Sequence, residues 1–435
     1  MAQTHLYYRG KALTAPKLNL CGTQRTTSLE QTWSKISPLM HEVGITRVAN
    51  ITGLDRVGIP VTAVIRPHSK SLTVSSGKGP TLLAAQVSGV MESYELYCAE
   101  EHQPETIHLP YCTLSQHFET IPLSLLPLRK NSLFHPTWPE RWVLGWDLFA
   151  QKEVAVPLFS VSLNMQLKNQ TPTEISSFSI DSNGLASGNH IAEAITSAIY
   201  ELIERDAITC HAVATKCSSF FSPQVRQETI HYPIVRGFLE KFARAKIDCF
   251  LYDCTVDTEV PVFKAIVFDP TLRHGEIVAG YGAHLDPEIA MIRAISEAAQ
   301  GRPVYISGAR DDILSPTVES WNVQKTAAHL KKQKATIDAK IYRSQTCGTF
   351  EEDISLLMQK LKQAGLNQLI VYDLSQENSG VYVVQVIIPG LEGCYLKKCK
   401  PGKRAQAFTQ EMACGPQLTS DVLFFPVHSP AGGLI

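Results

Sequence analysis

The sequence lacks the features that most quickly assign a chain to a class. No apolar run approaches the roughly 18 residues needed to cross a bilayer, and Met1 to Gly10 has no apolar core of a secretion signal. Neither sign of charge dominates. A formal net charge of -1 gives no general attraction to nucleic acid or to an anionic membrane. Any phosphate binding must therefore come from a local site. There is no G-x-x-x-x-G-K-[S/T], which excludes a P-loop. The 11 cysteines are odd in number, and the nearest pairs (Cys249/Cys254, Cys394/Cys399, Cys210/Cys217) lack the two-residue spacing of structural zinc sites. With no secretion signal they are expected to be reduced thiols of a cytoplasmic protein. No low-complexity segment or short repeat occurs.

What is present is a mixture of helical and strand patterns, so the expected fold class is α/β (α+β). Leu29, Trp33, Ile36, Leu39 and Met40 recur at helical spacing, predicting a helix from Ser28 to Val43. Strands are predicted over 47–52 and 60–66. A glycine-rich loop at 75–80 then opens a helix over 81–101. Residues 103–145 read as a loop-rich connection, and strands surround Pro157. A second small-residue loop at 182–189 precedes a helix over 191–213. Strands over 249–252 and 261–268, a turn at Gly280-Tyr281-Gly282 and a helix over 287–306 follow. Helical patterning over 354–364 and strands over 369–374 and 381–388 complete the core.

Two helices share one arrangement of functional groups. Ser88, Glu92 and Glu95 on the first, and Ser197, Glu201 and Glu204 on the second, both spell S-x-x-x-E-x-x-E, with Arg205 next. Positions i, i+4 and i+7 lie on one stripe, so each helix presents a hydroxyl and two carboxylates together. Apolar neighbours such as Val87, Met91, Leu202 and Ile203 flank both stripes. Carboxylates edged by core surface are costly unless paired or metal-bound. A third helix adds Arg293, Glu297 and Gln300 at the same spacing, with Arg302 close behind. Glu92, Glu95, Glu201, Glu204 and Glu297 are the candidate ligands of hydrated Mg ions, which prefer a few carboxylates, waters and phosphate oxygens. Lys78 and Arg25 are candidate phosphate ligands, and the amides of the 77–80 loop suit an anion at a helix N-terminus. A single such stripe is ordinarily a solvated helix face. Two copies, each behind a glycine-rich loop and joined by E-x-x-Q, form a more specific signal.

At these residues the sequence resembles the YcaO family. The matching stretches are GKGPTLLAAQVSGVMESYEL (77–96), SNGLASGNHIAEAITSAIYELIERDA (182–207) and RAISEAAQGR (293–302), supported by ITGLDRVGIPV (51–61) and PGLE (389–392). The resemblance implies two pseudo-symmetric α/β halves enclosing an ATP and Mg2+ cleft, with residues 1–70 an N-terminal helix and strands integrated with a catalytic domain at 71–435. It implies that ATP activates a peptide backbone amide. Position by position, Ser88, Glu92 and Glu95 match the first motif; Ser197, Glu201, Glu204 and Arg205 the second; Glu297 and Gln300 the third, with Arg302 counted among the nucleotide-binding residues. Arg25 and Thr32 fall where the family places a basic residue and a hydroxyl near the nucleotide. The resemblance implies catalytic roles for Glu201, Glu204 and Arg205.

Two departures stand out. Leu96 replaces an Arg common after the first E-x-x-E, and the ending PVHSPAGGLI (426–435) lacks the P-x-P-x-P of azoline-forming members. The stretch YISGARDD (305–312) and the intact ITGLDRVGIP look more like the branch that makes thioamides with TfuA-type partners. Thioamidation of a peptide or protein is the first expectation. Azoline-forming cyclodehydration of Cys, Ser or Thr is the second, and a non-catalytic nucleotide-binding scaffold the third. No peptide-leader-binding module is evident, so a TfuA-like or E1-like partner protein is expected, together with a homodimer by family analogy. The basic run Lys397, Lys398, Lys400, Lys403 and Arg404 reads as a solvated loop.

Overall fold

A computed structural model describes residues 5–20, 22–129, 132–164, 177–218, 220–271, 277–309, 327–393 and 401–413. The ending at 426–435, Lys397, Lys398, Lys400, Cys394, Cys399 and residues 310–312 of YISGARDD lie outside them. Among the described residues no helix is long and apolar enough to cross a membrane.

After two short N-terminal hairpins, the helix expected over 28–43 forms only in part. Ser28 caps α1 (Leu29–Ile36) in a capping box with Gln31, and the chain breaks at Ser37-Pro38 before a short turn of helix, Leu39–Glu42. An antiparallel meander follows, β1 (Arg47–Asn50), β2 (Val61–Ile65) and β3 (Val74–Lys78), and leads into α2 (Leu82–Glu101). The stretch 103–145 is more regular than its sequence suggests. It contains β4 (Ile107–Pro110), α3 (Tyr111–His117) and the start of the nine-residue β5 (Pro139–Asp147), which pairs with β6 (Lys152–Pro157). Then come β7 (Leu185–Gly188), the 28-residue α4 (Ile191–Ser218) and α5 (Pro233–Arg244). A second meander, β8 (Asp248–Asp253), β9 (Val262–Phe268) and β10 (Ile277–Ala283), runs into α6 (Pro287–Ser307). The chain continues through α7 (Phe350–Gln363), β11 (Ile370–Asp373), β12 (Tyr382–Ile387) and α8 (Lys403–Ala413).

The unit of three antiparallel strands and a helix thus occurs twice, as β1-β2-β3-α2 and β8-β9-β10-α6. Between them lies a larger antiparallel sheet in the order β6-β5-β11-β12-β7, with β4 on β5. Its edge strand β7 feeds α4, giving a third strand-helix step. These three steps close on one another, since α2 packs against β7, α4 against β10 and α6 against β3. The helices that carry the acidic stripes are therefore gathered around one axis. The 70/71 division falls between β2 and β3 of a single sheet.

The small-residue stretches before these helices are strands, which corrects two expected loops and the expected turn at 280–282. Glycine is needed there because each strand lies directly on the following helix. A Cβ on Gly77 would stand 1.9 Å from the Ala85 carbonyl oxygen, and one on Gly280 would stand 2.1 Å from the Ala298 nitrogen. Gly77 is thereby fixed for packing and offers no anion-binding loop. The α6 helix begins with the Asp286 side chain accepting from Glu288 N and Pro287 in the first turn, and ends at Gly308 with φ +59°.

Candidate active site

Helices α2, α4 and α6 are buried on nearly all sides, which makes the exceptions informative. On α2 the half-buried positions include Ser88, Glu92 and Glu95, and on α4 they include Ser197 and Glu201, while Glu204 and Arg205 are buried. Each stripe faces a cleft. Glu95 reaches across to β7, where its Oε1 accepts from Ser187 N at 2.8 Å and from Ser187 Oγ at 2.6 Å. At the other wall Lys78 Nζ, at the end of β3, lies 3.6 Å from Glu297 Oε2 on α6. Arg205 lies 3.8 Å from Glu201 one turn earlier. Gln300 is 3 % exposed and donates its amide to the Ser76 carbonyl at 2.6 Å, tying α6 to β3.

The charges of these stripes act on one another. Burial pushes the Glu95 carboxyl up to about 8, with Ser187 opposing and the charges of Glu92 and Glu201 adding to the rise. Burial likewise raises Glu201 to about 7, with Arg205 and Arg293 opposing and Glu204 and Glu297 contributing. Glu204 is raised by burial and then by Glu297, against Arg205, Arg293 and Lys78. Residues from α2, α4, α6 and β3 thus act on one another directly. The protein alone holds more carboxylate here than its own cations neutralise. The orphaned atoms agree: Glu204 Oε2, Gln300 Oε1 and Arg293 Nε are buried with no hydrogen-bond partner among the described residues.

Two residues missed as ligands by the sequence reading belong to this space. Glu193, only 2 % exposed in the first turn of α4, accepts from Thr26 N at 2.9 Å and Thr26 Oγ1 at 2.7 Å, and lies 3.5 Å from Arg25 Nε. A first-turn acid looks like a partner of the helix dipole, which hides it. The signal was nevertheless present, because Glu193, Ser197, Glu201 and Glu204 continue one stripe at i, i+4, i+8 and i+11. Arg293 is the second. Its charge acts on Arg25, Glu201 and Glu204, which places it among the glutamates. Arg25 itself reaches the cleft, where burial lowers its pKa against the pull of Glu193.

Two expected nucleotide residues are committed to protein partners. The Thr32 hydroxyl donates to the Ser28 carbonyl at 2.9 Å and bonds Asn189 Nδ2 at 3.0 Å, so Thr32 links α1 to the start of α4. Arg302 grips Asp55 with Nε at 2.8 Å and a terminal nitrogen at 2.9 Å, and also reaches Asp269 at 3.1 Å. It is a buried clamp between ITGLDRVGIP and the second meander, which corrects its expected place on the nucleotide. Among the described residues, no three His, Cys, Asp or Glu side chains form one compact metal-ligand set. The acids are instead spread along the cleft.

The family model for YcaO cyclodehydratase, ATP- and Mg2+-binding, matches residues 76–392. The chain belongs to the YcaO family. It is 33 % identical over 386 residues to a protein of Methanothermobacter thermautotrophicus, covering 84 % of this chain and 94 % of that one. It is 30 % identical over 388 residues to a protein encoded in the tfuA 3′ region of Rhizobium leguminosarum bv. trifolii, covering 85 % and 88 %. Among solved structures, a heterocyclase in complex with substrate and cofactor superposes with a TM-score of 0.74 at 22 % identity, over 88 % of this chain and 54 % of that one. The YcaO of Methanopyrus kandleri bound with AMPPCP and Mg2+ superposes with a TM-score of 0.68 at 23 % identity, over 87 % and 95 %.

The chain is thus an enzyme of this family with ATP and Mg2+ as its cofactors, and the cleft fits them. Spread acids suit Mg2+, which takes one or two carboxylates per ion and completes its shell with water and phosphate oxygens. Glu92, Glu95, Glu201, Glu204 and Glu297 are the side chains that would hold the ions, with Glu193 beside them. Lys78, Arg25, Arg205 and Arg293 would face the phosphates, and ATP supplies the phosphoryl group. Ser187 fixes Glu95, and Gln300 fixes α6 on β3, so the acids are held before any ligand arrives.

Proposed function

We propose that this enzyme uses Mg-ATP to phosphorylate the oxygen of a peptide or protein backbone amide, so that sulfide from an external donor can replace it. The amide oxygen takes the terminal phosphoryl group and ADP departs. Sulfide then adds to the activated carbon and phosphate leaves, converting C=O to C=S. The observation that carries the amide-activating part is the convergence of acidic stripes from α2, α4 and α6 on one cleft, with Arg205 and Lys78 beside them. Glu201 and Glu204 are read as the groups that fix the ions at the transferring phosphate, and Arg205 as the cation that offsets charge developing there. Thioamidation with a TfuA-like partner is supported by the relative encoded beside tfuA.

A second reading is azoline formation, in which a Cys, Ser or Thr side chain attacks the neighbouring amide and water is lost overall. The cyclodehydratase family model favours it. One experiment separates the two. The protein is incubated with a candidate precursor peptide or protein, a TfuA-like or E1-like partner, Mg-ATP and sulfide, and the product is weighed by mass spectrometry. Oxygen replaced by sulfur supports thioamidation, and loss of water supports the second reading. Glu201→Gln and Glu204→Gln are expected to abolish Mg-dependent ATP turnover while retaining the fold. Turnover equal to wild type in both would remove these residues from the mechanism.

A further inference from the structure

The PGLE stretch is left unexplained by the cleft, because it lies at the far side of α4. There Glu392 is 7 % exposed and uses its carboxylate as the N-terminal cap of α8, accepting from Gly402 N at 2.9 Å and Ala405 N at 3.0 Å. A Cβ on Gly402 would stand 2.5 Å from Glu392 Oε1, so the carboxylate lies close against the backbone it caps. The Glu392 backbone N–H in turn donates to Asp206 Oδ1 at 2.8 Å.

Asp206 is fully buried and follows Arg205 directly on α4. Arg404, in the first turn of α8, forks onto it with Nε at 3.0 Å from Oδ1 and a terminal nitrogen at 2.8 Å from Oδ2, and its other terminal nitrogen reaches Asp257 at 3.0 Å. One residue of α4 is thus pinned from two elements, the PGLE turn and α8, and Asp257 in the loop after β8 holds the outer side of Arg404.

We propose that Asp206, Glu392 and Arg404 form a latch that fixes the rotation and axial position of α4, and so act as positioning residues for Glu204 and Arg205. Successive helix residues point about 100° apart and rise about 1.5 Å. Holding Asp206 on one side therefore sets where Arg205 and Glu204 emerge on the other. The latch also gives the basic run a role at one residue, since Arg404 is committed to Asp206 and Asp257 and is not a solvated loop charge. The inference rests on the reading of Glu204 and Arg205 as groups that handle the triphosphate and its ions.

The test is calorimetric titration of the full chain with AMPPCP in the presence of Mg2+. Arg404→Ala is expected to weaken binding about tenfold, the scale of coupling through a packed network. Arg404→Lys keeps a cation against Asp206 and is expected to stay within about threefold of wild type. Phe408→Ala supplies the control. Phe408 packs α8 on His211 with ring centroids 4.9 Å apart, away from Asp206, so its removal lowers thermal stability and leaves affinity unchanged. Wild-type affinity in Arg404→Ala would overturn the latch, as would an equal loss in Phe408→Ala. Should Arg404→Ala not fold, Asp206→Asn decides, keeping the side chain's shape while removing the charge that Arg404 grips: weaker binding supports the latch, and unchanged binding overturns it. Absence of binding by the wild type would instead overturn the cleft reading on which the latch rests.

Discussion

Ser187 gives Glu95 two hydrogen bonds to one oxygen, from its backbone N–H and from its hydroxyl, and so ties the first acidic helix to the strand that feeds the second. These bonds favour the ionised carboxylate, against burial that pushes it up to about 8. A cation can occupy the site only with the carboxylate ionised, so binding strengthens as pH rises through that value. Ser187→Ala removes one donor and raises the carboxyl further. Mg-dependent AMPPCP affinity is expected to fall about tenfold at pH 6.5, with a smaller deficit at pH 8.5, because hydrogen bonds to charged groups are worth about 1.5 to 3 kcal/mol. Titrations at both pH values check this, and equal affinities in wild type and variant would refute it.

Lys78 and Arg302 looked alike in sequence, as basic residues beside glycine, yet they sit in different surroundings. Lys78 faces Glu297 across the cleft, whereas Arg302 is 3 % exposed between Asp55 and Asp269. Lys78→Ala is expected to weaken nucleotide binding while leaving stability within about 0.5 kcal/mol of wild type. Arg302→Ala leaves buried carboxylates without their cation and is expected to cost about 3 kcal/mol of stability. Urea unfolding and nucleotide titration of both variants separate the two roles, and the reverse pattern would overturn the assignment.

The acidic stripes were legible because helical period and burial cost act locally: a few residues suffice to show that Glu92 and Glu95, or Glu201 and Glu204, share a face. The glycines were misread because a small residue before a helix serves equally for an anion-binding loop and for a strand packed hard on that helix. Only the 1.9 Å approach of a would-be Gly77 Cβ to Ala85 decides between them. The helix Pro233–Arg244 had no counterpart in the sequence reading, although Val235, Phe238 and Phe242 mark its buried face. Strand β5 escaped because its burial does not alternate cleanly, running from exposed Pro139 to a mixture of buried and half-buried positions.

Ion pairs between distant segments were beyond local pattern altogether. Arg302 and Asp55 are separated by 247 positions, and nothing near either residue announces the other. The same holds for Arg404 and Asp206, separated by 198. Convergence of the three helices followed from family resemblance. The structure adds its physical basis, in the repeated meander-helix unit and in each helix leaning on the next strand.

Asp269 provides a test of the buried clamp through pH. Burial would raise its carboxyl, but hydrogen bonds from Arg56 and Thr271 and the charge of Arg302 outweigh it and hold the pKa at about 2, below the ordinary 3.8. A carboxyl depressed in the folded state stabilises the protein above its unfolded value, and that contribution disappears as pH falls from about 4 toward 2. Asp269→Asn cannot make it at any pH. The stability gap between wild type and Asp269→Asn is expected to be about 2 kcal/mol at pH 6 and about half as large at pH 3, where the wild type has lost part of its charge. Urea unfolding at pH 6, 4 and 3 measures that gap. A gap that stays constant down to pH 3 would show that the Asp269 charge is not what holds Arg56 and Arg302.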